Sequence, residues 1–458
     1  MTSDGAGAAA GSAPGNARPE VVATIGKLDG VHAGHRHLAA RVLHEADARS
    51  VMAAALVLHP DPRAVVAGTE VPMLSTVADR IRRLRAFGLD LVEPLHFTAD
   101  IAALSPEAFV ARLLDRFRLA AVVAGPDFRF GRARSGDVRT LERLGRQHDF
   151  AVVVAPPLTE SGEPVSSRRL RAMVEAGDVQ RARTLMRRPP RLTGIVVHGA
   201  ARGRALGFAT ANLDPRAAFV MPANGIYTVR ASWRRAGSAA WRTADGVASI
   251  GVRPTFGSGE RLVEVHLLDT DEDLYGHRLT VRFLSRQRDE LRFDSVGALV
   301  AQMHRDVERA RADLAFEAQV ARGAVLDGSG LRVVGHDLAD VCRALAEALL
   351  QRPPGSATER PVRRPVSLEG TGAANVVRGW LAALAAGGQD LPVWAAPDVY
   401  YASERCLHAV VAESASAAPS TPARAARLES LTRTDRGLEA VVYVADRTPP
   451  APGAAFPR

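Results

Sequence analysis

Between residues 20 and 157 short apolar runs alternate with stretches of helical period, and this alternation constrains the fold more than any other feature of the chain. The runs VVATIG (21–26), MAAALVL (52–58), LDLVEPL (89–95), AAVVAG (120–125) and FAVVVAP (150–156) are apolar almost throughout. Helical patterns fill about Gly34–Ala48, 77–87, 106–117 and 137–148. Runs of that length with no polar face suit strands covered on both sides, and their alternation with helices predicts a parallel, doubly wound α/β sheet. Ligands of such sheets sit beyond the carboxyl ends of the strands.

The texture changes after an Arg-rich helical stretch at 166–187, where Pro189 and Pro190 break the chain. From 191 to 290 the runs LTGIVVH, GIYTVRASW, GVASIGV, LVEVHLL and LTVRFL alternate apolar with polar residues between turn signals. That period predicts a small antiparallel β-barrel, followed by a helix at about 294–316. The expected division is a disordered 1–19, an α/β domain at 20–187, a barrel domain at 188–316 and a linker at 317–330. An α+β domain of unknown role follows at 331–447, with a strand (LRVVG), helices at 337–351 and 374–386 and a last strand (LEAVVYVA), and 448–458 is a disordered tail. Pro189 and Pro190 imply that a fragment starting near Arg188 stands alone.

At 458 residues the chain has room for about three domains. A net charge of +9 raises nucleic acid as a partner, but the basic residues are spread evenly with no Lys/Arg-rich run, which argues against it. Two cysteines, Cys342 and Cys406, build no disulfide framework and read as small core residues. No apolar run reaches membrane-spanning length and the first residues carry no secretory pattern, so a cytoplasmic protein acting on small molecules is expected.

Two motifs carry chemistry. The first, G-K-L-D-G-V-H-A-G-H (26–35), follows the first apolar run and places two histidines three residues apart among glycines that let backbone approach an anion. It holds the only lysine of the chain, Lys27, which either touches phosphate or is a chance survivor in an Arg-biased composition. His32 and His35 could pair on a metal, but no third ligand stands at a suggestive spacing. The second motif, G-F-A-T-A-N-L (207–213), puts Thr210 and Asn212 two residues apart, a hydroxyl and an amide oxygen fit for a hard cation beside phosphates.

With these motifs in order, residues 20–316 resemble the bacterial bifunctional riboflavin kinase/FAD synthetases. The resemblance implies an N-terminal nucleotidylyltransferase domain that adenylylates FMN and a C-terminal barrel that phosphorylates riboflavin, both using ATP and Mg2+. In HGAARGRALGFATANL (198–213) it implies ATP binding by Gly207, Thr210 and Asn212, with Thr210 and Asn212 on the magnesium. The family proline of this motif is Ala209 here. GVASIGVRPTFG (246–257) and LVEVHLLD (262–269) follow, and Glu264 falls where the family places the base for the ribityl hydroxyl. Read alone, Glu264 is a solvated charge on an alternating strand. Arg288, Asp289 and Phe293, in RQRDELRFDS (286–295), lie where the family closes over the flavin.

In the N-terminal half, Gly26, Asp29, Gly30, His32, Gly34 and His35 match the family motif, while its Asn is Lys27 and its Phe is Leu28. The resemblance assigns Gly26, Lys27, Asp29 and Gly34 to ATP and gives His32 and His35 an electrostatic role at the α-phosphate and pyrophosphate. In LVLHPDPR (56–63) a family His is Asp61. GPDFRFGRARSGD (125–137) contributes Asp127 and Phe128 to flavin binding, and VSSRRLR (165–171) contributes Ser166, Ser167 and Arg171 to the triphosphate, with a family Thr replaced by Arg168. Lys27 and Arg168 argue for a rebuilt phosphate grip and Asp61 for a lost one. Three readings follow: both activities, the kinase alone beside a degenerate adenylyltransferase, or a non-catalytic flavin- or nucleotide-binding regulator. Residues 331–447 resemble archease, but its metal-binding carboxylates would fall near Thr371–Ala373, where there are none; the competing reading is a docking domain for a protein partner.

Overall fold

The computed structural model describes residues 18–160, 162–199, 203, 206–215, 219–235, 238, 240–252 and 261–322, and beyond them the strands that lie between 325 and 444. The first domain has the element order β1 (Glu20–Gly26), α1 (Ala33–Arg49), β2 (Met52–His59), α2 (Pro62–Ala67), α3 (Val77–Ala86), β3 (Leu91–His96), α4 (Ala99–Ala103), α5 (Pro106–Arg116), β4 (Arg118–Ala124), α6 (Val138–His148) and β5 (Ala151–Val154). The sheet order is β3-β2-β1-β4-β5 and every pairing is parallel. β1 turns Val21, Ala23 and Ile25 into one apolar layer and Val22 into the other, which is why its sequence has no polar face. Several helices start on side-chain caps: Thr76 accepts from Asp79 N, Ser105 from Ala108 N ahead of Pro106, and Asp137 from Thr140 N. The chain reverses at β1 and crosses to β4, so the carboxyl end of β1 opens at the switch point of the sheet, and the first motif starts there.

The short pair β6 (Thr159–Glu160) and β7 (Glu163–Pro164) precedes two helices, α7 (Ser167–Glu175) and α8 (Val179–Met186), where the sequence predicts one continuous helix. Gly177 breaks it at φ +82°. A Cβ there would stand 2.8 Å from Arg286 Nε and 3.0 Å from the Tyr227 hydroxyl, so glycine lets the turn press onto the barrel. Asp178 then caps α8.

The barrel closes in the order β10-β11-β12-β9-β8-β13, all antiparallel. Its strands are β8 (Arg191–Val197), β9 (Ala211–Asp214), β10 (Gly225–Trp233), β11 (Arg242–Val252), β12 (Arg261–Leu267) and β13 (Arg278–Arg288). Alternation divides each strand: Val263, Val265 and Leu267 of β12 fill the interior beside Tyr227, Phe283 and Ile250, and the residues between them face outward. Val179 of α8 belongs to that interior cluster. The helix α9 (Val296–Arg322) lies against β10 and β11, its Ala310 and Leu314 packing with Leu268 and Leu284. It runs to Arg322, past the expected end near 316, into the stretch expected to be a linker.

Beyond it, β14 (Val325–Asp327), β15 (Gly330–Gly335), β18 (Ala426–Arg433) and β19 (Leu438–Val444) form a sheet of order β14-β15-β19-β18, and β16 (Arg364–Ser367) pairs with β17 (His408–Val411). The strands expected at LRVVG and LEAVVYVA are present. The helices expected at 337–351 and 374–386, both cysteines and the archease-like site near Thr371 lie outside the described residues.

Val179 is fully buried among barrel residues, so removing α8 opens the barrel core. A fragment of residues 188–322 should melt well below one of residues 166–322, by several degrees if the exposed side chain costs about 1–2 kcal/mol. Equal melting temperatures by circular dichroism would mean that α8 is not part of the barrel's core.

Candidate active sites

The loop between β1 and α1 takes Leu28 to φ 49°, Gly30 to φ 85° and Val31 to φ 41°. Two of these are branched apolar residues in the left-handed region, a conformation that persists only when its surroundings dictate it. Asp29 supplies that constraint. Its carboxylate, 0% exposed, accepts from Leu74 N at 3.0 Å, Ser75 N at 3.1 Å, Ser75 Oγ at 3.0 Å and Arg171 Nη2 at 2.5 Å. Asp29 and Arg171, both expected on ATP, thus hold each other, and Arg171 Nε also donates to Pro72 O at 3.1 Å. Ser166 caps α7 through Arg169 N. Ser167 Oγ donates to Asp29 O at 3.0 Å and meets His32 Nε2 at 3.1 Å.

His32 is the N-cap residue of α1 and stacks on His35 with ring centroids 3.7 Å apart. Gly34 leaves room for this stack: a Cβ would stand 2.7 Å from Val165 O and 3.2 Å from the His32 ring. Burial first, then His35, holds His32 well below its ordinary value. Burial, followed by Arg80, Lys27 and Arg171, pulls His35 down to about 3. Both rings are therefore neutral at pH 7. Because Ser167 gives its proton to Asp29 O, His32 Nε2 is the donor to Ser167 Oγ and its Nδ1 is an acceptor. Each keeps a buried Nδ1 with no partner among the described residues.

The charge around them is cationic. Lys27 Nζ lies 3.5 Å from Asp61 Oδ2, and Arg63 Nη2 stands 3.2 Å from the same oxygen. Asp61 is buried, caps α2 through Arg63 N, and is held below the usual carboxylate range by Arg63 and Lys27 against the opposing effect of burial. The two departures from the family motif that seemed to oppose each other in sequence thus form one ion pair. Burial lowers the Lys27 ammonium and Asp61 opposes that shift. Arg80, which sequence reading missed, is buried and donates through Nη1 to Lys27 O at 2.5 Å. Only its place on α3, in a helix that packs on β2 and β3, gives it this role. Gly26 closes β1 ahead of Lys27, Asp127 is exposed just after β4, and Phe128 stacks on Phe130 at 5.5 Å. Arg168 is exposed on the first turn of α7.

The second site is a cavity of about 330 Å³ on the outside of the barrel, roofed by α9. Glu264, His266, Thr210, Ser249, Arg288 and Phe293 line it. Register brings Glu264 between Ser249 of β11 and Asn212 of β9. Asn212 is buried with Gly199 packed on its amide, where a Cβ would fall 2.1 Å from Nδ2. Its Oδ1 is buried and accepts no hydrogen bond from the described residues. A neutral oxygen left without a donor fits a hard cation better than it fits a closed core. Among the described residues no three His, Cys, Asp or Glu side chains form a metal cluster, so phosphates would have to supply the remaining charge. Gly207 takes φ +85° in the turn that leads to Phe208 and Thr210.

Of the three residues expected on the flavin here, Phe293 and Arg288 line the cavity, but Arg288 is committed to Asp306 of α9 at 2.6 and 2.8 Å. Asp289, one residue past β13, is exposed, pairs with Arg286 at 2.5 Å and does not line the cavity. His266, missed in the sequence, lines the cavity and meets Ala209 O through Nδ1 at 2.9 Å. Its spacing of two from Glu264 on an alternating strand was the available signal.

The parallel-sheet domain with a histidine loop at its switch point, joined to a six-stranded barrel with an outer cavity, defines a two-site transferase architecture. A family profile for FAD synthetase matches residues 15–169 and one for riboflavin kinase matches residues 186–314. The bifunctional riboflavin kinase/FMN adenylyltransferase of Escherichia coli (strain K12) is 35% identical over 292 residues, covering 63% of this chain and 91% of that protein. That of Pseudomonas fluorescens is 38% identical over 302 residues, covering 65% and 95%. A solved structure described as a macrolide-efflux protein from Streptococcus pneumoniae superposes with a TM-score of 0.57 at 30% identity, covering 64% of this chain and 94% of that one. Among the described residues here, no helix is long and apolar enough to cross a membrane. The chain belongs to the family of bifunctional riboflavin kinase/FMN adenylyltransferases.

The depressed histidines tie the first site to pH. In the folded state His35 stays neutral down to about pH 3, while the unfolded chain protonates it near 6.5. Between those values the unfolded state binds more protons, so stability is lost as pH falls through the window. His35→Gln should lose less melting temperature between pH 7 and pH 5 than the parent. Parallel losses in the two proteins would show that His35 does not carry this dependence.

Proposed function

We propose that the barrel transfers the γ-phosphoryl group of ATP to the ribityl 5′-hydroxyl of riboflavin, and that the α/β domain joins the resulting FMN to a second ATP to give FAD. The observation that carries the kinase half is the placement of Glu264 and Thr210 in one cavity, with Asn212, whose Oδ1 accepts nothing from the described residues, paired with Glu264 in the register though not itself lining the cavity. Glu264 takes the proton as the hydroxyl oxygen bonds to the γ-phosphorus and the bond to the β-phosphate oxygen breaks, with ADP as leaving group. Thr210 and Asn212 would hold Mg2+, which when bound neutralises phosphate charge. Phe293 covers the apolar side of the flavin, and Arg288 acts through Asp306, fastening the end of β13 to α9 over the cavity. Gly207 lets the turn approach the nucleotide.

In the α/β domain an FMN phosphate oxygen attacks the α-phosphorus of ATP and pyrophosphate leaves. The reaction needs charge stabilisation rather than a nucleophile from the protein. Neutral His35 donates a hydrogen bond to the phosphates, His32 holds that ring in place through their stack while its own N–H is spent on Ser167, and Lys27 supplies the cation. Asp29, Ser166, Ser167 and Arg171 act one step back, by fixing the loop and the start of α7. Asp127 and Phe128 stand on the β4 side for the flavin. The Lys27–Asp61 pair favours a rebuilt phosphate grip over a lost one, because Asp61 is already neutralised by Lys27 and Arg63.

Two variants in the full chain test this division. Glu264→Gln should lower riboflavin phosphorylation about a hundredfold or more while leaving riboflavin binding and FMN adenylylation intact. Lys27→Ala should do the reverse, raising KM for ATP in adenylylation with the kinase untouched, and Lys27→Asn should recover part of the loss. A fall of less than about threefold for Glu264→Gln would remove it as the base. A silent Lys27→Ala would remove Lys27 from the site.

A further inference from the structure

Gly30 lies in the middle of the strained loop, two residues before His32. Its N–H donates to Ser75 Oγ at 2.8 Å. Its carbonyl accepts from Arg188 Nη2 at 3.2 Å, and Arg188 does not belong to the loop's own domain. It lies three residues ahead of β8, in the segment that leads into the barrel. The other arm of the same guanidinium, Nη1, donates to Asp79 of α3. Arg188 is 8% exposed and Asp79 3%, so the fork is out of water at both tines.

Docking of the domains alone does not need the arm on Gly30. Asp79 already faces Arg83 and Arg191, each at 3.4 Å, and Arg82. One carboxylate among four guanidiniums leaves cationic capacity to spare. A second thread reaches the loop from the same side. Val220 N, just before β10, donates to Met73 O at 3.1 Å, and Phe219 bridges to Met73. Met73 precedes Leu74 and Ser75, whose N–H groups hold Asp29 and whose Ser75 hydroxyl holds Gly30. The barrel therefore touches both supports of the loop: its carbonyl directly, and the Leu74–Ser75 anchor one residue away.

We infer that Arg188 is a positioning residue for the N-terminal site, through which the barrel holds the Gly30 peptide and with it the register of His32. This rests on the reading of that loop as the adenylylating site. The consequence is a dependence in one direction: the α/β domain needs the barrel's lead-in to set its loop, whereas the Glu264 cavity has no lining residue in that lead-in and needs nothing from Arg188.

The test uses full-length Arg188→Lys and Arg188→Met. A lysine ammonium keeps an ion pair with Asp79 but cannot serve both acceptors as a planar fork does. Arg188→Lys should melt near the parent and phosphorylate riboflavin within about twofold of it, yet lower kcat for FAD formation about tenfold or more, since small displacements of a reacting constellation carry losses of that size. Amide exchange across residues 27–35 should quicken by about tenfold in the same variant. Arg188→Met should give a larger loss of FAD formation. Adenylylation at the parent rate in Arg188→Lys with unchanged exchange would overturn the inference, as would a parallel fall in kinase turnover, which would reduce Arg188 to a structural staple. If the parent forms no FAD, the adenylylating reading fails, and the exchange measurement alone decides whether Arg188 holds the loop.

Discussion

The first site depends on one buried carboxylate. Asp29 sits at the centre of a loop whose neighbours occupy left-handed backbone, and four donors converge on it from the Leu74–Ser75 turn and from α7. Removing one partner of a buried pair costs about 3–5 kcal/mol, because the other is left charged and unpaired. Left-handed backbone at two branched residues costs about 1–3 kcal/mol each, about 2–6 kcal/mol together, so the two magnitudes are comparable. The loop is held by this anchor with little to spare, and the further contacts at Gly30 matter for that reason. Everything the site presents follows from the loop's path: Lys27 emerges against Asp61, His32 sits at the start of α1, and His35 stacks on it one turn later.

The barrel site is built on a different principle. No strained loop places Glu264. Strand alternation does, by sending Val263 and Val265 inward and Glu264 and His266 outward, while register sets Asn212 beside Glu264. The cavity exists because α9 spans the outer face and because Arg288 and Gln287 of β13 both bond to Asp306 and fasten it there. One chain thus carries a site fixed by a buried charge and a site fixed by sheet periodicity, joined by α8 and the Arg188 lead-in.

The two architectures were legible in the sequence because each has its own period. Apolar runs without a polar face gave away strands covered on both sides, and alternation gave away the barrel. The break at Gly177 was not legible, since a lone glycine in a helical pattern says nothing about the arginine it will meet. The motif residues came through as a set, but their roles divided in ways composition cannot express. Asp29 and Arg171 neutralise each other, Ser166 caps a helix, and Arg288 serves Asp306. Lys27 and Asp61 looked contradictory because they stand 34 positions apart in the chain and only the β1–β2 pairing brings them to one end of the sheet. Arg80 carried no signal, being one arginine among many on an amphipathic helix.

Both sites work in series on one flavin. The most direct measurement incubates the full chain with riboflavin, ATP and magnesium and follows flavins by chromatography. Riboflavin should be consumed, FMN should form first, and FAD should then form at the expense of FMN, with FMN supplied alone also converted. Accumulation of FMN with no FAD from either starting flavin would contradict this order, and would leave the α/β domain a binding module beside a working kinase.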